Sequence, residues 1–564
     1  MVKSLSLLAL FLFVSCSGSG TKERQQLRQI VRSGDYDQAV DYLDSIDAYK
    51  EEKSRLLYLM ERGLIEFRRG QFLNATIFLQ KASEVHDHLS YVSIKDGIKS
   101  TLVNETKRKY VGEVFEGGLI HFYRAFSFYQ LYQLKKVKAY AGDETIPARE
   151  EASISPQEAR SYLQKARAEV VGWNSYLEKV KHNRLGKSVF KQDMLQHVFG
   201  GFIHEQMKTS ADRQIALLLY KKALDVLHKN YNSYSLYNKQ NKKFIKNFKK
   251  LPSLSRSEVE KKYIVQTKEH RNLKNFLLMK ILSLSKASGK REYKKAISTY
   301  RPSKSVIKAA MKTVRSNVLV FEFDKMIAKK APKTEYYSLE RALGGNSSSK
   351  NKRAVARVGA SAIMLFASAK LGLLPPPHKY SPVGAEVGIR LGLAAGRGAA
   401  VSFDVPKIYK NPKPTSSQHL YLTGNNIKSR KIPFPVVAPI TEIAEQAVRE
   451  GAMNRAIRQG ARLAWKHLLA ITTCMATYDA MKKKNNEFVA KQAAVFQYFA
   501  LVGLIKETEK ADTRYWSTLP NVIRMTHLEL PPGTYELTQK SDKESLLKKE
   551  FSIANKTTTQ LISF

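Results

Sequence analysis

Two carboxylates one helical turn apart are the residues of this sequence best placed for acid–base chemistry. Glu113 and Glu116 lie on a predicted helix, close to His121 and Arg124. Such a pair could act as general acid and general base, or it could bind a cation. More often, glutamates at this spacing pair with arginines and fix the packing of helices. We therefore expect a packing role for both, with Arg124 as the partner.

A second charged motif lies near the C-terminus, where Asp512 is followed by Arg514 and Trp516. The aspartate is expected to cap a helix end or to pair with the arginine two residues on. The large ring of Trp516 is expected to fill the joint between a helix and the strands that follow it. A docking surface is the alternative interpretation of the same residues.

No stronger catalytic signature occurs in the sequence. It contains no Gly-x-Ser-x-Gly, no complete phosphate-binding loop and no His-Glu-x-x-His. The 12 histidines do not cluster at metal-ligand spacing. Cys474 lies in an apolar stretch that is typical of a buried core thiol. The sequence therefore predicts no catalytic residue, no metal site and no cofactor.

The first residues carry a different kind of chemistry. Lys3 is followed by the apolar run 5–14, which is too short to span a bilayer, and then by Cys16. This order resembles a bacterial lipoprotein signal peptide, whose cysteine becomes the lipidated first residue. The resemblance implies acyl chains on Cys16 and, because Ser17 follows it, a lipid-anchored position on the outer membrane of the bacterial cell envelope, facing the periplasm. An ordinary secretion signal and a buried N-terminal segment are the alternatives.

The chain is strongly basic, with 95 Lys+Arg against 50 Asp+Glu and a formal net charge of +45. The excess of positive charge is greatest from Lys229 to Arg315, a stretch that contains 24 basic residues and four acidic ones. Such a surface attracts anions, so anionic lipid and cell-wall polymer are candidate partners. Interleaved aromatic residues such as Tyr231, Tyr234 and Tyr237 would also suit single-stranded nucleic acid. Export disfavours nucleic acid, and we expect these rings to pack inside the protein.

An internal repeat predicts an array of helical hairpins. A Gly-x-aromatic-x-x-Ala motif occurs twice, offset by about 36 residues, which is close to the tetratricopeptide period. The motif residues are Gly34, Tyr36, Ala39, Gly70, Phe72 and Ala75. The glycine would end one helix, the aromatic residue would fill the wedge between helices, and the alanine would allow close approach. We expect helices to continue to about residue 343.

The second half of the chain has a different character, which begins after the Gly/Ser cluster 344–350. Residues 354–374 are apolar enough to raise the question of a membrane span, but charges and glycines favour a buried strand or strand pair. Residues 522–530 and 535–537 flank a Pro-Pro-Gly turn and predict a terminal β-hairpin. The predicted segments are a signal peptide (1–16), a flexible tether (17–24), the helical repeat array (25–228), a lysine-rich helical region (229–343), a linker (344–352), a strand-rich segment (353–440), a helical segment (441–510) and a β-hairpin segment (511–564).

Three stretches of the sequence form a recognisable set. One is Leu57–Glu84, and the other two follow residue 109 and residue 510. The distinctive residues of the last two are Tyr110, Gly112, Glu113, Phe115, Glu116, Asp512, Thr513, Arg514, Trp516, Leu519, Pro520, Pro532 and Gly533. Together the three stretches resemble a family of bacterial envelope lipoproteins with tetratricopeptide-like N-terminal halves and no assigned biochemical activity. The resemblance implies a location and an architecture, not a reaction.

These features predict a mainly α fold, α+β overall, in which a tetratricopeptide-like helical-hairpin array is followed by a mixed α/β module with short strands and a terminal β-hairpin. The functional hypothesis is an interaction scaffold, held at the membrane through lipid on Cys16, with protein partners that the sequence does not identify. The alternatives are an envelope enzyme or activator that acts on cell-wall glycan, and a protein that binds polyanions or nucleic acid.

Overall fold

The computed structural model describes most of the N-terminal half of the protein and sections of its C-terminal half. The described residues are 20–95, 106, 108–182, 193–229, 231, 234–240, 264–312, 318–337, 401–409, 419–424, 427–450, 466, 469–470, 472–483, 486–528, 530–539, 547–553 and 560–563. Cys16, the linker 344–352 and the apolar run 354–374 lie outside these residues. The fold is mainly α, α+β overall, as the sequence predicts.

Helices that pack on their neighbours along the chain build the N-terminal half. They are α1 (Thr21–Ser33), α2 (Tyr36–Ser45), α3 (Asp47–Lys50), a 3₁₀ turn (Glu52–Ser54), α4 (Arg55–Arg69), α5 (Phe72–Lys95), α6 (Val114–Leu134), α7 (Pro156–His182), α8 (Met194–Met207) and α9 (Ser210–Lys229). Contacts of α4 with α5, α6 with α7, and α8 with α9 make a series of helical hairpins. The tether predicted for 17–24 ends earlier than expected, because α1 begins at Thr21 and buries Arg24.

The two glycines of the repeat motif end helices in the same way. Gly34 follows α1 with φ 86°, and Gly70 follows α4 with φ 78°. This left-handed conformation is free of strain only without a Cβ, and it turns backbone N–H groups toward the last carbonyls of the helix. The other motif residues are also placed alike, since Tyr36 and Phe72 begin the next helices and Ala39 and Ala75 are fully buried. The tetratricopeptide-like character of the whole array stays a prediction.

The lysine-rich region is helical over only some of its length. Its helices are α10 (Lys268–Ser288), α11 (Lys290–Tyr300) and α12 (Lys304–Lys312), and a short antiparallel pair precedes them, β3 (Asn238–Gln240) with β4 (Ile264–Gln266). α10 packs on α9 and carries α11 and α12 on its surface. Tyr231, Tyr234 and Tyr237 are buried, as predicted for the aromatic residues of this region.

The prediction that helices continue to residue 343 is wrong for residues 318–337. They form the strands β5 (Val318–Met326) and β6 (Lys330–Tyr337). The first six residues of β5 are β-branched, aromatic or leucine except for Glu322, and nearly the whole strand is buried. A strand buried on both faces lacks the polar alternation that distinguishes a strand from a helix, which is why the pattern misleads.

Two four-stranded sheets organise the C-terminal half. The remaining strands are β1 (Lys136–Val137), β2 (Ala152–Ser153), β7 (Val401–Ile408), β8 (His419–Gly424), β9 (Ile427–Pro433), β10 (Val436–Ala438), β11 (Pro520–Leu528), β12 (Gly533–Gln539), β13 (Leu547–Ile553) and β14 (Gln560–Ser563). The sheet orders are β10-β11-β5-β14 and β13-β12-β8-β9, and β1 with β2 and β6 with β7 form separate pairs. Neighbouring strands are antiparallel except β14, which runs parallel to β5.

The terminal hairpin exists, but the strands that form it differ from the prediction. β11 pairs with β5 and β10, whereas β12 pairs with β13 and β8. The Pro-Pro-Gly segment therefore passes the chain from one sheet to the other. Pro531 and Pro532 have no N–H group to close a tight turn, and both edges of β11 are taken by partners distant in sequence. The hairpin is β12 with β13.

The described residues of the C-terminal half also form three helices. They are α13 (Ile440–Glu450), α14 (residues 472–482) and α15 (Glu487–Thr508). α14 and α15 share a small core of their own, which includes the buried Cys474, Tyr478, Ala490, Ala494 and Tyr498. Across the portion of the chain that the structure describes, the stretch Glu487–Ile505 of α15 is the one helical segment long and apolar enough to cross a membrane by length and composition.

The main core joins the two ends of the chain. One continuous cluster of buried side chains runs from Leu27 in α1 to Met525 in β11. Ion pairs also connect β11 with distant elements. Arg524 of β11 lies 2.9 Å from Glu269 of α10 and 3.3 Å from Glu322 of β5. The segment that leads into β11, and β11 itself, thus belong to the main core, whereas β8, β9, β12 and β13 share a second hydrophobic cluster.

Candidate functional site

Residues 511–519 lead into β11 and lie against helices from the opposite end of the chain. We call this segment the strap. All of its residues are buried except Asp512, which is half-buried. Partners from α1, from α4 and from the N-terminal end of α6 lie about 400 or more residues away in sequence, and Ile327 and Lys330 also bind the strap.

Glu61, on α4, is the main acceptor for the centre of the strap. Its Oε1 accepts hydrogen bonds from the backbone N–H and the hydroxyl of Ser517, both at 2.7 Å. Its Oε2 accepts from the N–H of Thr518 at 3.3 Å and from the Thr518 hydroxyl. The side chain is fully buried, and burial raises the pKa of Glu61 above its ordinary value against the opposing effect of these hydrogen bonds.

Glu116 has the same role for the preceding residue of the strap. Its Oε1 accepts from the N–H of Trp516 at 2.8 Å, and its Oε2 accepts from the Tyr110 hydroxyl at 2.6 Å and the N–H of Glu113 at 2.7 Å. The last bond completes a capping box at the start of α6, in which the Glu113 side chain accepts in return from the backbone of Glu116. Burial raises the pKa of Glu116 to about 7.

Arg28, on α1, also donates hydrogen bonds to the strap. Its guanidinium donates to the carbonyl oxygens of Ser517 and Ile327, both at 2.6 Å, and to the Tyr515 hydroxyl at 3.1 Å. Burial lowers the pKa of Arg28 below its ordinary value. Two further arginines donate to the strap at longer distances, Arg68 to the Thr518 carbonyl at 3.1 Å and Arg24 to the Thr513 hydroxyl at 3.4 Å.

The beginning of the strap is fixed by an internal ion pair. Arg514 binds both oxygens of Asp512, at 2.9 and 2.8 Å, in the pairing that the spacing of the two residues predicts. The same guanidinium donates to the carbonyls of Lys53 and Arg108. Burial acts to raise the pKa of Asp512, but the hydrogen bonds and charge of Arg514 hold it below its ordinary value.

Trp516 fills the space between the helices and the sheet. It is fully buried, and its ring centroid lies 5.8 Å from that of Tyr123 on α6. Tyr123 in turn contacts Phe67 of α4 and Phe323 of β5 in an aromatic cluster. Aromatic pairs at these separations stabilise a core beyond their buried area alone. The strap is thus held both by polar bonds and by packing.

The structure brings most of the motif residues together at this place. Tyr110, Gly112, Glu113, Phe115 and Glu116 precede or begin α6, next to the strap residues Asp512, Thr513, Arg514, Trp516 and Leu519, with Pro520 at the start of β11. Pro532 and Gly533 lie elsewhere, where the chain enters the other sheet. The repeat-motif residues lie at the helix ends described above. Cys16 is outside the described residues.

The predicted pairing of the two glutamates with Arg124 is wrong. Arg124 lies 2.9 Å from Glu169 on α7 and also donates to Gln80 on α5. It is about three helical turns past Glu113, so its side chain reaches the neighbouring helices and not the helix start. The packing role predicted for Glu116 is present, but its partners are backbone N–H groups and a tyrosine hydroxyl.

Sequence reasoning missed Glu61 and Arg28. The available signal for Glu61 was a carboxylate directly after the apolar run 56–60, where a charge needs a buried partner. Arg28 gave no comparable signal, because α1 is rich in polar residues throughout. The strap partners of both residues lie more than 450 positions away, which no local pattern reveals.

The arrangement is suited to holding a segment in place. All four acceptor positions of Glu61 and three of those of Glu116 face donors of the protein itself, so both carboxylates are engaged in contacts within the protein. Within the described residues, no group of three or more His, Cys, Asp or Glu side chains is placed to hold a metal ion. The site therefore acts as a lock between the two ends of the chain.

Comparison with known proteins gave no match: no family model, no curated protein and no solved structure is similar to this chain.

Proposed function

We propose that this protein is a lipid-anchored lipoprotein of the bacterial envelope, on the outer membrane, and that its helical body is an interaction scaffold. The observation that carries the scaffold proposal is the lock itself. Glu116, the best candidate for acid–base chemistry, is used as a hydrogen-bond acceptor for the strap. Because the strap ties the C-terminal part of the chain to the N-terminal helices, the helical body presents rigid surfaces. Rigid surfaces bind partners at a lower entropic cost.

The anchor proposal rests on the sequence before the body. Cys16 precedes α1 by only four residues, and α1 belongs to the main core. A chain of that length spans at most about 14 Å, so acyl chains on Cys16 would hold the helical body close to the membrane surface. Stable anchoring needs more than one acyl chain, as lipoprotein modification supplies.

Exposed cations from the end of α10 through α12 support contact with anionic envelope components. Between Lys286 and Lys308 the single acidic residue is Glu292. The exposed cations are Lys286, Lys290, Arg291, Lys294, Lys295, Arg301, Lys304 and Lys308. Against an anionic leaflet each well-placed cation contributes about 1 kcal/mol within a Debye length. The burial of Tyr231, Tyr234 and Tyr237 removes these rings from base stacking, which favours lipid or polymer over nucleic acid.

Metabolic labelling with a clickable fatty acid tests the anchor. We expect label on the full-length wild type and on the matched control Cys474→Ala, and no label on Cys16→Ala. Equal labelling of Cys16→Ala, or an unlabelled wild type, would contradict the anchor. Crosslinking of the labelled protein in intact cells, followed by mass spectrometry, tests the scaffold. Reproducible crosslinks to one partner protein support it, and crosslinks absent above an untreated control contradict it.

A further inference from the structure

Helix α15 combines an apolar composition with little protein cover. The stretch Glu487–Ile505 has a mean hydropathy of 1.5, yet only 27% of it is buried among the side chains that the structure describes. A helix that is apolar on all sides normally lies inside a protein core or in a membrane. Large apolar side chains are also unusually exposed on it, with Phe488 at 68% and Phe496 at 79%.

The two faces of α15 have different side chains. The inner face carries Ala490, Ala494 and Tyr498, which pack against Cys474 and Tyr478 of α14. Small residues of this kind allow two helices to approach closely. The outer face repeats every four residues and is exposed. Its members are Phe488, Gln492, Phe496, Ala500 and Leu504.

The positive charge where α14 ends and α15 begins suits a layer of lipid headgroups. Lys482 and Lys483 are exposed where α14 ends, and Lys491 is exposed one turn into α15. The acidic residue between them is Glu487, which lies 3.7 Å from Lys482 and 2.8 Å from Lys491. Exposed cations at the end of a helix suit the phosphates of an anionic bilayer, and exposed phenylalanines suit the acyl boundary beneath those phosphates.

The length of the uncharged part of α15 indicates whether this helix could span a bilayer or lie in its interface. The stretch of α15 without charged residues runs from Gln492 to Ile505. At a rise of about 1.5 Å per residue it is roughly 21 Å long. The hydrocarbon core of a bilayer is about 30 Å thick, so this stretch is too short to span it and is long enough to lie in the interface.

We infer that the outer face of α15 inserts into the headgroup and acyl boundary of an anionic bilayer, with the lysines at its N-terminal end on the lipid phosphates. This second membrane contact rests on the proposed envelope location, but it does not depend on acyl chains on Cys16. It would hold the C-terminal half of the protein against the same surface that anchors the first helix.

Tryptophan fluorescence with brominated lipids tests the contact. The full-length Cys16→Ala protein, which cannot be acylated at that position, is prepared with Phe496→Trp or, as the matched control, with Leu218→Trp. Leu218 is 52% exposed on α9, so both new indoles begin in water. Vesicles contain one-third anionic phosphatidylglycerol and phosphatidylcholine with brominated acyl chains.

The expected result is a blue shift and at least about twofold quenching of the added emission for Phe496→Trp only. The double variant Phe488→Asp/Phe496→Asp should bind these vesicles at least about tenfold more weakly, because it lacks the two aromatic rings that would enter the lipid. Emission of Phe496→Trp that is already blue-shifted without vesicles would overturn the inference in favour of cover by protein. Equal or absent quenching in both proteins would overturn it as well. Fatty-acid labelling reports on Cys16 alone, so the two proposals fail separately.

Discussion

Replacing Glu116 by glutamine separates the burial of this carboxylate from its role as a titrating group. Burial raises the pKa of Glu116 from 4.5 to about 7 in the folded protein. The folded state therefore keeps a proton at pH values where the unfolded chain has lost it. The contribution of Glu116 to the free energy of unfolding is thus complete below about pH 4.5 and is lost as the pH rises through about 7.

The size of this effect follows from the shift. A change of one pKa unit corresponds to 1.36 kcal/mol, so a rise from 4.5 to about 7 corresponds to about 3 kcal/mol. Glutamine does not titrate. The variant carries a constant penalty, because its amide N–H₂ faces donors such as the N–H of Trp516. Between pH 4.5 and pH 7.5, the stability of Glu116→Gln relative to wild type should therefore rise by about 3 kcal/mol.

Urea unfolding at these two pH values, followed by tryptophan fluorescence, measures the difference. Comparison with wild type cancels the other titrating groups. The matched control is Leu519→Ala, which removes a fully buried side chain of the strap and should cost about 2–5 kcal/mol equally at both pH values. A difference between Glu116→Gln and wild type that does not change with pH would contradict the raised pKa of Glu116.

Three further predictions concern contacts that join distant regions of the chain. Glu61→Gln and Thr518→Val should show a coupling of about 0.5–3 kcal/mol in a double-mutant cycle of urea unfolding, and additive losses would contradict their hydrogen bond. Arg524→Met leaves two buried carboxylates without their cation and should cost about 3–5 kcal/mol; a melting temperature within about one degree of wild type would contradict the buried ion pairs. Gly424→Ala should lower the melting temperature and speed hydrogen exchange in β8 and β12, because Gly424 has φ 115° and a Cβ would meet the Thr534 carbonyl; unchanged exchange would contradict the strand pairing.

Local physical rules predict the helical half of this fold well. The αL caps at Gly34 and Gly70 follow from glycine's freedom of φ, and the ion pair of Asp512 with Arg514 is one of the two roles, capping or pairing, that the sequence predicts for Asp512. The same rules fail at β5, where burial on both faces removes the strand pattern. They also fail at β11, whose partners β5 and β10 are selected by packing across the whole chain.

The candidate site, too, could be predicted from the sequence only in part. Its residues could be singled out from the sequence, since Tyr110, Glu116, Arg514 and Trp516 are among those that carry the family resemblance. Their assembly could not be predicted, because the bonds connect positions 400 or more residues apart. A buried carboxylate needs donors, but the sequence does not specify which donors the fold supplies. Glu61 could not be assigned its partners for this reason.

Hydrogen–deuterium exchange of the full-length protein tests the lock between the two ends of the chain most directly. The backbone N–H groups of Trp516, Ser517 and Thr518 donate to carboxylates in the buried interior. We predict that peptides covering residues 511–519 exchange as slowly as the helix that contains Glu61, since opening the strap requires opening the core. Complete exchange of this segment within seconds, while α4 remains protected, would contradict the account.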